Sequence, residues 1–100
     1  MLANKEFFEG IALLKCVTAT YNKGQVTLAP HILYTRHDEM HVDAVTVERD
    51  GKPPRELKIG TFKLSGLKDV VVEDRPFEPS ELFDSKADKY QGTTLLVVET

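Results

Sequence analysis

From Cys16 to Val72 no stretch of the chain repeats at the three- to four-residue spacing of a helix. Short β-branched and apolar runs instead alternate with turn-forming residues. Strands without intervening helices cannot be wrapped into a parallel sheet, so antiparallel pairing is expected throughout this region. Cys16–Tyr21 places Val17, Ala19 and Tyr21 on one face, and Asn22-Lys23-Gly24 turns the chain into a second strand, Gln25–Ala29. Pro30 ends or edges that strand, His31–Thr35 reads as a short third one, and Arg36-His37-Asp38-Glu39 forms a charged turn. Met40–Glu48 then alternates, with Met40, Val42 and Ala44 opposite His41, Asp43, Val45 and Val47. After the loop Arg49–Pro54, the stretch Arg55–Leu64 carries Leu57, Ile59 and Phe62, with Gly60 as a bulge or bend. Leu67–Val72 resumes as strand.

One helix precedes this region. Across Asn4–Lys15, residues Phe7, Phe8, Ile11, Ala12 and Leu14 share a face, with Asn4 as N-cap, Glu6 in the first turn and Lys15 in the last. Gly10 inside it costs about 1 kcal/mol relative to Ala. Beyond the strands lies an acidic segment: from Asp69 to Asp84 six acids (Asp69, Glu73, Asp74, Glu78, Glu81, Asp84) face Arg75 alone, and Pro79–Phe83 has the makings of a short helical turn. The expectation is one mainly β domain over 1–100, a small SH3-like (Sm-like) antiparallel barrel. It comprises a helix at about 4–15, barrel strands at about 16–72, the acidic segment and short helix at about 73–90, and a final strand at about 93–99.

At 100 residues there is no room for a second independent core, and roughly 60–70% of the unfolded surface can be buried. Thirteen Lys and Arg against sixteen Asp and Glu give a formal net charge of −3. That sign disfavours a general nucleic-acid or anionic-membrane binder, since both require an attractive field. No apolar run approaches the roughly 18–20 residues of a membrane span. The opening ten residues lack a basic stretch followed by an apolar one, and the single cysteine suits a reducing compartment. The expected location is the cytoplasm.

The order of elements resembles the WYL domain. Pro30 and Leu33 stand where that family has a Pro and a Leu-containing stretch. Met40-His41-Val42 takes the place of Trp-Tyr-Leu, and Phe62-Lys63-Leu64-Ser65-Gly66-Leu67 that of a Phe-Arg-Leu-Asp-Arg-Ile type segment. Val70, Val72 and Phe77 match the closing strand and trailing Phe, so the resemblance covers Ile11 to Phe83. It implies a free-standing SH3-type barrel, because the helix-turn-helix region that usually precedes WYL domains has no room here. It also implies a recognition surface near Met40, His41, Val42, Lys63, Ser65 and Gly66. Both large aromatics of the name-giving motif are replaced, and Lys63 alone keeps the basic charge, as a point donor without a guanidinium fork.

Other constellations point less far. His31, His37 and His41 fall near Asp38, Glu39 and Asp43, and His41 and Asp43 share a strand face. Imidazole and carboxylate suit zinc or nickel, yet no metal-binding spacing is present, and hairpin surface residues are the expectation. Cys16 at a helix-to-strand junction reads as a buried filler. Ser65 lies in Leu-Ser-Gly-Leu, outside any G-x-S-x-G elbow, and the pairs Asp38-Glu39 and Glu73-Asp74 read as solvated. Tyr21, Tyr34 and Phe62 beside Arg36, Arg55, Lys58 and Lys63 could make a stacking platform for nucleic acid, but core aromatics and a charged rim are the commoner arrangement. The expected function is a non-enzymatic, cofactor-free sensing or binding module, regulatory in role, for a small anionic effector or a protein partner. Its expected site is His41, Lys63, Ser65, Arg55 and Arg36. The alternatives are weak single-stranded nucleic-acid binding, with high affinity not expected, and a structural or oligomerisation role in which an edge strand or the Leu95–Val98 strand pairs with another copy.

Overall fold

Three two-residue turns set the frame of the sheet. Asn22–Lys23, His37–Asp38 and Asp50–Gly51 all have positive φ, between 49° and 82°. That is the type I′ geometry whose twist matches paired antiparallel strands. The computed structural model describes residues 4–84, 90 and 94–98. A helix, α1 (Asn4–Leu13), is followed by β1 (Lys15–Tyr21), β2 (Gly24–Arg36), β3 (Glu39–Arg49), β4 (Ile59–Lys63), β5 (Lys68–Pro76) and β6 (Thr94–Val97). The antiparallel sheet runs β4-β3-β2-β1-β5, and β6 joins the second half of β2. The mainly β expectation with one short helix holds. The pairing path is open, however: β4 and β5 are its ends, and among the described residues no pairing joins them, so the expected barrel closure is not part of this ladder.

Several boundaries differ from the sequence pattern. The helix stops at Leu13, because Leu14 turns into the left-handed region (φ 55°) and Lys15 already belongs to β1. Phe7 and Ile11 are buried, whereas Phe8 and Ala12 are exposed, so the apolar face is narrower than the spacing suggests. The cap expected of the Asn4 side chain lies outside the described residues. The two strands expected on either side of Pro30 are one strand, β2. Pairing with β1 ends at Leu28 and pairing with β6 begins at Ile32, so Pro30 sits where that side of β2 needs no donor. Residues 55–58 are not strand, and Gly60 pairs regularly with Ala44 without a bulge. β5 runs on through the acidic residues to Pro76. Pro79–Phe83 makes one hydrogen-bonded turn, Phe83 N–H to the Ser80 carbonyl at 3.1 Å, rather than a helix. Of the segment expected at about 73–90, residues 85–89 lie outside the described residues.

A bulge decides which side chains point where. On β2 the register steps from Pro30↔Ala44 to Ile32↔Asp43, leaving His31 as the extra residue. Val26 and Leu28 before it and Leu33 after it therefore join the same core despite their opposite parity. That core packs Phe7 and Ile11 of α1 against Val17, Ala19, Val42, Ala44, Leu64, Leu67 and Val98. The opposite face is covered too. Phe77 packs beside Cys16, Ala29 and Val45, and Phe83 beside Ile32, Tyr34 and Tyr90. Both faces of the middle of β3 are consequently buried, from His41 to Val45.

Candidate functional site

The expected site residues are divided between two ends of the sheet. Arg36 closes β2 at the second hairpin, across from Glu39. His41 pairs with both Tyr34 and Lys63 in the neighbouring strands. Ser65, exposed in the 3-10 turn Leu64–Gly66, borders a hollow of about 160 Å³ with Asp38, Glu39 and Met40. These four, Arg36, His41, Lys63 and Ser65, gather at the hairpin end. Arg55 does not join them. It is exposed in the loop between Arg49 and Ile59, which connects the opposite ends of β3 and β4.

The electrostatics of this end do not favour an anion. Lys63 Nζ lies 2.9 Å from Glu39 Oε2, so the retained cation already has a counterion. The lysine's hydrogen bond and charge hold the Glu39 carboxyl below the usual carboxylate range. The hollow beside Ser65 has two carboxylates on its wall. His41 is buried, its ring stacked on Tyr34 at 5.7 Å and 20° between planes, with Nδ1 3.1 Å from the Glu39 carbonyl. It is an element of the packing more than an open donor.

Beneath it lies an arrangement that the sequence pattern did not identify. Tyr34 donates its hydroxyl to Asp43 Oδ1 at 2.7 Å, and Tyr90 donates to Asp43 Oδ2. All three are buried, and the two phenol rings meet edge-on at 5.1 Å. Burial and the bond to Asp43 push the Tyr34 hydroxyl up to about 12. The same causes, in the same order, raise Tyr90 as well. Both phenols stay neutral donors at physiological pH, which suits them to orient and lock side chains, not to exchange protons. The available signal was Asp43 itself, a carboxylate inside a strand with buried faces on both sides.

The three histidines do not share a site. His31 is wholly buried at the β2 bulge, His37 is exposed in its turn, and His41 stacks on Tyr34. Among the described residues no group of three or more His, Cys, Asp or Glu side chains is placed to hold a metal ion. Cys16 is buried, and burial raises its thiol pKa. Tyr34 is buried and Tyr21 and Phe62 are half-buried, the latter two edge-on to each other at 5.3 Å, so the aromatics considered as a stacking platform turn into the core.

A polar hollow of about 270 Å³ opens on the outer face of β1, β2 and β5, lined by Thr18, Gln25, Thr27, Glu48, Gly51, Glu73 and Arg75. Its polar groups are partnered within it: Arg75 pairs with Glu48, and Thr18 donates to Glu73 at 3.2 Å. Next to it β5 pairs with β1 along one side only. Among the described residues no strand meets its other side. Val71, in the middle of β5, is 53% exposed.

The chain matches no protein family, no curated protein and no solved structure. Among the described residues no helix is long and apolar enough to cross a membrane.

Proposed function

We propose that the protein is a non-enzymatic binding module with a regulatory role, and that it recognises a protein partner by adding a strand to the outer side of β5. The observation that carries this reading is the one-sided pairing of a nine-residue strand, since an uncovered edge is a template for main-chain hydrogen bonds. The partner is an extended segment of basic character. Asp69, Glu73 and Asp74 lie on β5, and Glu78, Glu81 and Asp84 follow it. Lys15 offsets part of this charge by pairing with Asp74, and β5 itself also carries Lys68 and Arg75, the latter paired with Glu48 of β3. The small-anion reading is weaker, because Lys63 is paired with Glu39 and the adjoining hollow is acidic. The likeness to the WYL domain, a sheet that curls into an SH3-type barrel, and a cytoplasmic location belong to the same proposal. They rest on Pro30, Leu33, Phe62–Leu67 and Phe77 and on the single buried cysteine.

Amide shifts in labelled protein test it, with an alternating Lys-Val octapeptide and, separately, inorganic phosphate as probes. The peptide should move the amides of Val70 to Asp74 and weaken in binding as salt rises. Phosphate-induced shifts at Arg36, Lys63 and Ser65, with β5 silent to the peptide, would restore the anion reading and refute strand addition.

A further inference from the structure

The segment 77–84 crosses the outer face of the sheet, and the middle of its path is tied to a histidine. The backbone N–H of Ser80 points at His31 Nε2 at 2.9 Å. Nε2 accepts that bond, so the proton of a neutral ring is on Nδ1, which lies 2.7 Å from the Ala29 carbonyl and donates to it. The ring sits between Phe77 and Phe83, with centroids at 5.2 and 5.3 Å. It is wholly buried.

We propose that 77–84 is a strap latched by neutral His31 and released when His31 takes up a proton. Protonation places an N–H on Nε2 directly against the Ser80 N–H, turning an acceptor–donor pair into two opposed donors. It also puts a charge where water does not reach. The faces of Phe77 and Phe83 attract an imidazolium, which offsets part of that cost, but a ring face cannot replace the lost acceptor. The titratable groups on the surrounding elements are Tyr34 on β2, Cys16 on β1, His41 and Asp43 on β3, Tyr90, and Glu78, Glu81 and Asp84 on the strap. The three strap carboxylates are exposed, and Asp43 accepts from both phenols. Nε2 meets Ser80 and not any of these groups.

Burial lowers the His31 pKa below its ordinary 6.5, with the Ala29 bond opposing. The sign follows: the unfastened ring binds a proton at a higher pH than the latched one, so the latch is at full strength above about 6.5 and is lost as pH falls through the lower, latched value. Release uncovers the patch of Cys16, Ala29 and Val45 under Phe77 and the aromatic cluster under Phe83.

Hydrogen exchange of single amides between pH 7.5 and 5, alongside the titration of the His31 ring signals, tests the proposal. Between about 6.5 and the lower, latched pKa, protection at Ser80 should fall by up to about tenfold per pH unit, while Val26, Leu28 and Val42 stay protected. His31→Gln, which keeps an acceptor without a titration, should flatten that dependence. If His31→Gln does not fold, Ser80→Pro removes the donor instead and should raise the His31 pKa toward 6.5. Protection at Ser80 that is unchanged across the His31 titration overturns the latch. So does loss of the sheet amides at the same pH, or a His31 pKa unmoved in Ser80→Pro.

Discussion

Replacing Tyr34 by Phe removes one hydroxyl and nothing else. Tyr34 is among the largest fully buried side chains, and its ring contacts with His41 and Tyr90 survive the substitution. The apolar area buried is therefore nearly unchanged, and the effect falls on the hydroxyl's own bonds, chiefly the 2.7 Å one to Asp43 Oδ1, with a second to the Thr61 side chain. A hydrogen bond to a charged group contributes roughly 1.5–3 kcal/mol. For a domain this size the loss is equivalent to roughly 6–24 °C in Tm. Urea and thermal unfolding at pH 7 measure it directly. A second series between pH 9 and 12 separates the bond from packing. Above pH 10 the unfolded chain gains by ionising Tyr34, whereas the folded chain resists until about 12. The wild type therefore loses stability across that window through a group that Tyr34→Phe lacks, and the gap between the two proteins should narrow. A loss below about 0.5 kcal/mol at pH 7, the size of a neutral surface change, would refute the buried network as a source of stability, as would a gap that stays constant to pH 12.

Gly10→Ala should destabilise by about 1–3 kcal/mol through overpacking, against the gain of about 1 kcal/mol that helix propensity alone predicts. A Cβ there would lie 2.8 Å from Val17 Cγ2, 3.0 Å from the Lys15 carbonyl and 3.1 Å from Pro30 Cγ, and a rise in Tm would refute the close approach. Native Cys16 should react with a thiol reagent only as fast as the protein opens, because it is buried with a raised pKa; reaction at the rate of a free thiol would contradict that placement. Lys63→Ala should raise the Glu39 pKa toward the ordinary carboxylate value without a resolvable change in Tm, as both partners are solvent-exposed; an unmoved Glu39 titration would show that the pair does not persist in solution. Single-stranded oligonucleotides should bind more weakly than about 10 μM at physiological salt, within the non-specific range, and sub-micromolar binding unaffected by Lys63→Ala would contradict the acidic, inward-turned surface.

The strands were legible where one face is apolar and the turns are chemically marked. Asn22, Asp38, Asp50 and Gly51 tolerate positive φ, and the three hairpin turns fall at or within the turn segments the sequence shows. What was not legible follows from period two being a rule about a single buried face. β3 has both faces covered, so His41 and Asp43, expected as hairpin surface residues, are interior. The cover comes from Phe77, Phe83 and Tyr90, more than thirty residues away along the chain, and no local pattern announces them. The charge balance of the expected site was illegible for a related reason. Arg36, His41, Lys63 and Ser65 do converge, but the register that joins His41 to Lys63 also sets Lys63 beside Glu39, and only the pairing exposes that neutralisation. Gly10 shows the same limit in the helix: its cost to helix propensity was readable, and the Val17 and Pro30 side chains that require it were not.

One inserted residue links these features. β2 must serve β1 with its first half and β6 with its second, and the exchange takes place where Pro30 lacks a donor and His31 adds a residue. Without the bulge the alternation of β2 would continue unbroken from Leu28. Leu33 would then face the strap, and Tyr34 would carry its hydroxyl into the apolar core beneath α1, where burial without a partner costs about 1–3 kcal/mol. The bulge instead turns Tyr34 toward Asp43, keeps Leu33 under the helix, and leaves His31 with a backbone free to accept the Val98 N–H at 2.8 Å and a ring free to meet Ser80. The buried triad, the docking of the last strand and the fastening of the strap are thus consequences of a single register step. A residue of any other chemistry at that step would preserve the parity of the strand, but it would need its own acceptor in the place of Nε2 to hold the strap.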